Sequence, residues 1–329
     1  MPHKNTPKAE LHLHLEGSIA PEMALKLAEK NGLDFPHHRI CEDGFYQWSD
    51  FLDFLAAYDD AAAGIKTSDD YYLITYDYLK RSAKAGVIYT EIMPSFESGL
   101  DVGLSYEGKI EGIARGIDAA EKDFGITARI YPACVRHLGP DRALYAATVI
   151  TQNPHPYVVG FGMGGDEGFL SQKDFAPAFK IADEAGLATT THAGEVCGPE
   201  SVWDAINNLP VSRIGHGVRS IEDPKLIKEL SRRDIHLEVC PGSNIALGVY
   251  QDYAAHPLLD LLDAGVSVSL SSDDPPHFQT NIEREYECAH VEFGMNKETL
   301  RALTRNAIDA AFCSLSLKTE LLKKLDEEK

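Results

Sequence analysis

The sequence predicts an α/β protein of the (β/α)8 TIM-type barrel class, with a metal site at the C-terminal ends of the strands. Three observations carry that expectation. Eight apolar, β-prone runs recur along the 329 residues, with helix-like segments between them. Strands that alternate with helices build parallel βαβ units, and eight of them close into a barrel more readily than they lie open. Four separated segments offer metal-ligand or acid–base side chains, and each follows such a run, as when a barrel assembles one site from several strand ends. No glycine-rich dinucleotide loop follows the first run, which weighs against an open, doubly wound sheet.

In order, the runs are Ala9–Leu15, Val87–Pro94, Ala128–Val135, Tyr157–Met163, Ala188–His192, Arg213–His216, His236–Cys240 and Val266–Ser271. The clearest helix-like segments are Tyr71–Ala85, Ile110–Phe124, Asp174–Ala185 and Pro224–Arg233. The stretch Gly32–Phe54 between the first two runs is long. At its end Phe51, Phe54, Leu55 and Tyr58 fall on one face of a helix. Such a stripe usually packs into a core; in the first βα connection of a barrel it also suits a lid over an aromatic substrate. The chain therefore reads as one domain, 1–329, with a lid-like insertion at about 32–66. The tail, Lys318 to Lys329, is charged at its end and is expected to fray.

Composition excludes some classes of partner. The formal net charge of −20 disfavours nucleic acid and acidic membrane surfaces, because phosphates are repelled. No run approaches the ~18 apolar residues that a membrane helix needs. Six cysteines stand singly, with no Cys-x-x-Cys pair, and Met1 to Pro7 carry no apolar secretory segment. Both features fit reduced thiols in the cytoplasm.

The four segments divide the chemistry. His12 and His14 are two apart, so a strand points both imidazoles to one side, as a divalent ion requires. His192 follows the strand Ala188–Thr191 and offers a third nitrogen. Ala193-Gly194 then turns the chain, which lets Glu195 face the same pocket or, alternatively, cap a helix starting near Pro199. A carboxyl in such a pocket can have a raised pKa and carry a proton. His216 lies between Gly215 and Gly217, which clear space for a ligand or for a core histidine. Asp273 and Asp274 end the last run. Adjacent strand residues alternate in direction, so one is expected to ligate metal and the other to meet substrate; a plain β-turn pair is the alternative. Three histidines and a carboxylate without thiolate suit zinc or another first-row divalent ion, and metal-assisted hydrolysis of a small molecule.

These motifs together resemble the adenosine deaminase family of the amidohydrolase superfamily, from roughly Pro7 to Leu315. The matching residues are His12-Leu-His14-Leu-Glu-Gly, Gly164-Gly165-Asp166-Glu167, His192-Ala-Gly-Glu195, Gly215-His216-Gly217 and Ser272-Asp273-Asp274-Pro275. The resemblance implies a zinc barrel that removes the 6-amino group of a purine as ammonia. It implies zinc on His12, His14, His192 and Asp273, with Glu195 protonating purine N1. His216 and Asp274 would steer the attacking hydroxide onto C6. His14, Glu16, the backbone of Gly165, Asp274 and the face of Phe51, Phe54, Leu55 and Tyr58 would contact the purine substrate.

Two departures bear on which purine. Adenosine deaminases commonly have Asp where this chain has Glu16, and Glu is usual in adenine deaminases. Adenine deaminases, however, usually have a Ser-Ser-Glu type sequence in place of Gly164-Gly165-Asp166-Glu167, and Asp in place of Gly215. The resemblance thus favours adenosine and deoxyadenosine, giving inosine and ammonia, with adenine or another adenosine derivative as the alternative. An idle purine-binding relative would have lost a ligand, and none is lost.

Overall fold

The computed structural model of the protein describes residues 2–327; Met1, Glu328 and Lys329 lie outside them. Its strands are β1 (Lys8–Glu10), β2 (Val87–Ile92), β3 (Thr127–Ile130), β4 (Ala133–Val135), β5 (Gly160–Gly164), β6 (Ala188–Ala193), β7 (Arg213–His216), β8 (His236–Val239) and β9 (Val268–Leu270). Neighbours pair in chain order, β1-β2-β3 and β4 through β9, always in parallel. The expected eight runs thus appear as nine strands, because the third is cut at Tyr131-Pro132. Proline cannot donate to a ladder, so it interrupts pairing there.

Backbone bonds across the two gaps complete the barrel. Ile130 N–H donates to Tyr157 O at 2.9 Å and Gly162 N–H to Pro132 O at 3.0 Å. At the seam, His14 N–H donates to Asp273 O at 3.1 Å and Asp273 N–H to His12 O at 3.2 Å. These two bonds close the ring and set the first and last motifs side by side.

Helices cover the strands. The helix Ser68–Lys84 starts at a reciprocal capping box between Thr67 and Asp70, and Tyr106–Phe124 starts at Ser105 and stops at Gly125, φ 73°. Pro224–Arg233 keeps its expected bounds, whereas the expected helix Asp174–Ala185 is a short turn, Gln172–Phe175, followed by Ala176–Glu184. Leu11, Leu13 and Leu15 are fully buried. The expected strand is shorter than Ala9–Leu15, but isolated parallel bridges at Leu13 and His14 continue its pairing. No helix among the described residues is long and apolar enough to cross a membrane.

The charged tail does not fray as far as it is described. Leu315–Glu327 is a helix, and Leu321 and Leu325 are fully buried in a cluster with Ala9, Leu11, Tyr89 and Ile308. Its apolar residues recur every four positions, and one buried stripe docks a helix whose other faces are charged. Leu321→Ala should therefore cost ~2–5 kcal/mol of stability. Urea unfolding checks this, and a loss under ~1 kcal/mol would mean that the helix is not docked.

Candidate active site

The strands end at a cavity of about 390 Å³, within the range that holds small molecules. The barrel lines it with His14, Gly165, His192, Glu195, His216, Asp273 and Asp274. The helix Phe51–Ala62 lines it with Phe51, Phe54, Leu55 and Tyr58. The apolar stripe therefore faces the cavity. Asp50 caps this helix by accepting from Asp53 N–H at 3.0 Å. The preceding segment docks on the loop after β9: Tyr46 N–H donates to Pro276 O at 3.2 Å, and the Trp48 indole to His277 O at 3.0 Å.

His12, His14, His192 and Asp273 converge, with ligand atoms all within 4.8 Å of one another. Their other contacts decide what those atoms are. His12 Nδ1 lies 2.7 Å from Glu238 Oε2, and His192 Nδ1 lies 2.9 Å from Met163 O. Both acceptors take a ring N–H, so in the neutral imidazoles both Nε2 atoms carry lone pairs. Those two atoms are only 3.1 Å apart, and His14 Nε2 is 3.3 Å from His192 Nε2. Asp273 Oδ2 accepts from Ser243 Oγ at 2.7 Å, while Oδ1 is buried without a hydrogen-bond donor, 3.4 Å from His12 Nε2 and 3.3 Å from His14 Nε2. Three imidazole nitrogens and a carboxylate oxygen aimed at one point fit a divalent first-row cation.

One expectation about direction needs correcting. Asp273 and Asp274 both reach the cavity, although adjacent strand residues should diverge. The strand has already ended at Leu270, and Asp273 sits in the left-handed region at φ 63°. That conformation re-aims the chain and is strained for a residue other than glycine. The expected division of roles still has support, because only Asp273 joins the histidine cluster. Asp274 Oδ1 is buried without a partner, and burial followed by the Asp273 charge pushes its carboxyl well up. His216 is also left-handed, at φ 60°.

Glu195 is not a helix cap. The helix Pro199–Asn208 has Gly198 at its N-cap, and the Glu195 carboxyl faces the cavity with Oε1 3.7 Å from His216 Nε2. Burial, then the charge of Asp273, raises its pKa well above the usual carboxyl range, the direction that favours the protonated form. Its loop is shaped by Glu167. That carboxylate accepts from the backbone N–H of Gly194, Glu195, Val196 and Cys197 at 2.5–3.2 Å and from Ser201 Oγ at 2.7 Å.

Glu16 behaves differently from expectation. It is fully buried and does not line the cavity. Its Oε1 accepts from Tyr71 at 2.8 Å, and its Oε2 from Ser95 N–H at 3.1 Å and Tyr58 at 3.4 Å. Reasoning from sequence also missed Glu238, Ser243 and the positioning part played by Glu167. A charged residue inside the apolar strand His236–Val239 was the available signal for Glu238.

A parallel barrel that gathers three histidines, an aspartate and a buried glutamate with a raised pKa at its strand ends defines the class of metal-dependent barrel hydrolases. The sequence model of the adenosine deaminase family matches residues 7–328, and the chain belongs to that family, whose members are hydrolases of aminopurines. It is 47% identical over 320 residues to an adenine deaminase of Agrobacterium fabrum, covering 97% of this chain and 98% of that protein. It is 46% identical to an adenine deaminase of Rhizobium rhizogenes, with the same coverage. Among solved structures, adenine deaminase from Arthrobacter aurescens superposes with TM-score 0.91 at 31% identity, covering 98% of each chain. An amidohydrolase from Burkholderia ambifaria with bound Zn superposes at 0.90 and 26%, covering 99% of this chain and 91% of that one.

The donor set generates a direct test. Purified protein should carry about one divalent ion per chain, and His192→Ala should lose it. Elemental analysis of the two folded proteins checks this; equal metal in both would place the ion elsewhere.

Proposed function

We propose that this enzyme hydrolyses adenine to hypoxanthine and ammonia. The observation that carries this reading is the direction of Glu16. Its two oxygens already accept from Tyr71, Tyr58 and Ser95, so no free carboxylate meets a ribose hydroxyl. The relatives named above as adenine deaminases support the same choice. The adenosine reading rests on Gly164, Gly165 and Gly215, and packing accounts for two of these. A Cβ on Gly215 would stand 2.7 Å from His12 Cε1, and one on Gly164 would stand 3.2 Å from His192 Cε1. Those glycines answer to the histidines beside them and say nothing about ribose.

In this reading His12, His14, His192 and Asp273 hold zinc, as the all-nitrogen-and-oxygen donor set suggests. When bound, the ion supplies a water acidic enough to lose its proton near neutral pH. Glu195 holds a proton in the cavity and passes it to purine N1, which makes C6 electrophilic. His216 and Asp274 orient the oxygen nucleophile toward C6. Gly165 backbone and the faces of Phe51, Phe54, Leu55 and Tyr58 hold the ring, and His14 borders it. Residues 1–329 work as one catalytic domain, with about 32–66 as its lid. Six free cysteines suit a cytoplasmic setting.

Two measurements test this. Loss of ultraviolet absorbance on deamination should give kcat/KM for adenine roughly 10²-fold or more above that for adenosine; a preference for adenosine would reverse the assignment. Glu195→Gln keeps the shape and removes the proton. It should lower kcat by at least ~10²-fold while metal content stays that of the wild type. Near-normal turnover would remove Glu195 from the chemistry.

A further inference from the structure

A chain of buried hydrogen bonds runs from Leu258 to His216, and the chemistry of its first link fixes every later one. It starts at Leu258, the first residue of the helix Leu258–Asp263. Leu258 N lies 3.2 Å from His256 Nδ1. A peptide N–H can only donate, so His256 Nδ1 must present its lone pair. His256 is buried beside the rings of Tyr250 and Phe293, and burial lowers its pKa to about 3. The neutral ring therefore carries its single proton on Nε2.

The next links follow by donor and acceptor alone. His256 Nε2 is 3.1 Å from Asn244 Oδ1 and donates to it. Asn244 is fully buried on the short helix Pro241–Ala246, which follows β8. Its amide nitrogen lies 3.3 Å from His216 Nδ1. An amide N–H₂ also only donates, so His216 Nδ1 accepts, and the proton of neutral His216 stands on Nε2. That nitrogen lies 3.7 Å from Glu195 Oε1 and 3.8 Å from Asp273 Oδ2, on the cavity wall.

We propose that Asn244 and His256 are positioning residues that hold His216 in the Nε2–H tautomer, making it a hydrogen-bond donor to the oxygen nucleophile and denying it the part of a base or a metal ligand. This rests on the aminopurine deaminase reading. It has two consequences. With Nε2 already protonated, His216 cannot take a proton from water there. It also leaves a neighbouring cluster without a free nitrogen lone pair, because Nε2 carries the proton and the lone pair of Nδ1 is taken by Asn244. His216, Cys240 and Asp273 have ligand atoms within 4.8 Å of one another and would otherwise compete for the ion. The tautomer keeps the cation on His12, His14, His192 and Asp273.

The test uses full-length protein labelled with ¹⁵N-histidine, its His216 signals assigned by their loss in His216→Gln. Wild type should show His216 with a bare Nδ1 and a protonated Nε2. In Asn244→Asp the carboxylate accepts from both histidines and should move the His216 proton to Nδ1. Supporting contacts of this kind are worth ~10–100-fold, so kcat should fall by that factor, with KM and metal content nearly unchanged. His256→Phe should lower kcat similarly, and His256→Gln, which keeps a donor where Nε2 stood, should recover most of it. A wild-type spectrum with the proton on Nδ1 overturns the proposal by itself, even if no variant folds. Asn244→Asp with normal kcat and an unchanged spectrum also overturns it. Failure of the deaminase reading looks different: wild type would turn over no aminopurine, while the spectrum would still report the tautomer.

Discussion

The site depends on the carboxylate of Glu238, buried at the centre of the barrel. It takes the Nδ1–H of His12 at 2.7 Å and the hydroxyl of Thr190 at 3.2 Å. Arg213 lies against it, Nε to Oε1 2.6 Å, and also against Glu91, Nη1 to Oε2 2.7 Å; these are close charge contacts rather than aligned hydrogen bonds. The guanidinium stacks over Phe312 at 3.4 Å. Burial alone would push the Glu238 carboxyl up, but Arg213 and His12 outweigh it and hold the carboxyl at about 2. An ionised carboxylate behind His12 fixes the tautomer that points a lone pair at the metal position, the usual support for a histidine ligand. Removing one member of such a buried set leaves an uncompensated charge, so the set is kept or lost as a whole.

A second network ties the helix Phe51–Ala62 to the barrel. Glu16 follows the histidine motif and accepts from Tyr58 on that helix, Tyr71 on the next helix and the backbone of Ser95 after β2. Lys109 grips the same loop from beneath, donating to Ser95 O at 2.6 Å and Phe96 O at 2.9 Å. Burial lowers its pKa to about 8, against the pull of Glu16 and Glu97. One carboxylate therefore joins three segments, and the cavity is lined by the rings of Phe51, Phe54 and Tyr58 rather than by the Glu16 charge.

What could be read from sequence was local. His12 and His14 obey the period of two and meet in one cluster with His192 and Asp273, and Phe51, Phe54, Leu55 and Tyr58 obey the helical period and line the cavity. The direction of Asp273 and Asp274 was not legible, because a left-handed residue breaks alternation and no side chain announces it. Glu238, Glu167 and Ser243 act through contacts 226, 27–34 and 30 residues away in sequence. The direction of Glu16 was illegible for the same reason: it is set by Tyr71 and Ser95, 55 and 79 residues on.

Glu238 and Glu195 show how one barrel end can shift two buried carboxyls in opposite directions beside the same histidines. Both carboxyls are buried, and burial by itself raises both. Glu238 rests against Arg213, whose guanidinium is fixed by a second carboxylate and an aromatic face, so the charged form wins. Around Glu195 burial is joined by the negative charges of Asp273 and Glu167, which His12 opposes more weakly, so its carboxyl is pushed up. Environments that push two carboxyls apart in this way assign their work. Glu238 can only accept, and it orients His12. Glu195 lies on the cavity wall with its carboxyl pushed toward the form that can donate. The difference lies in the arginine of β7, so the two opposite directions are already built into the strands before any substrate arrives.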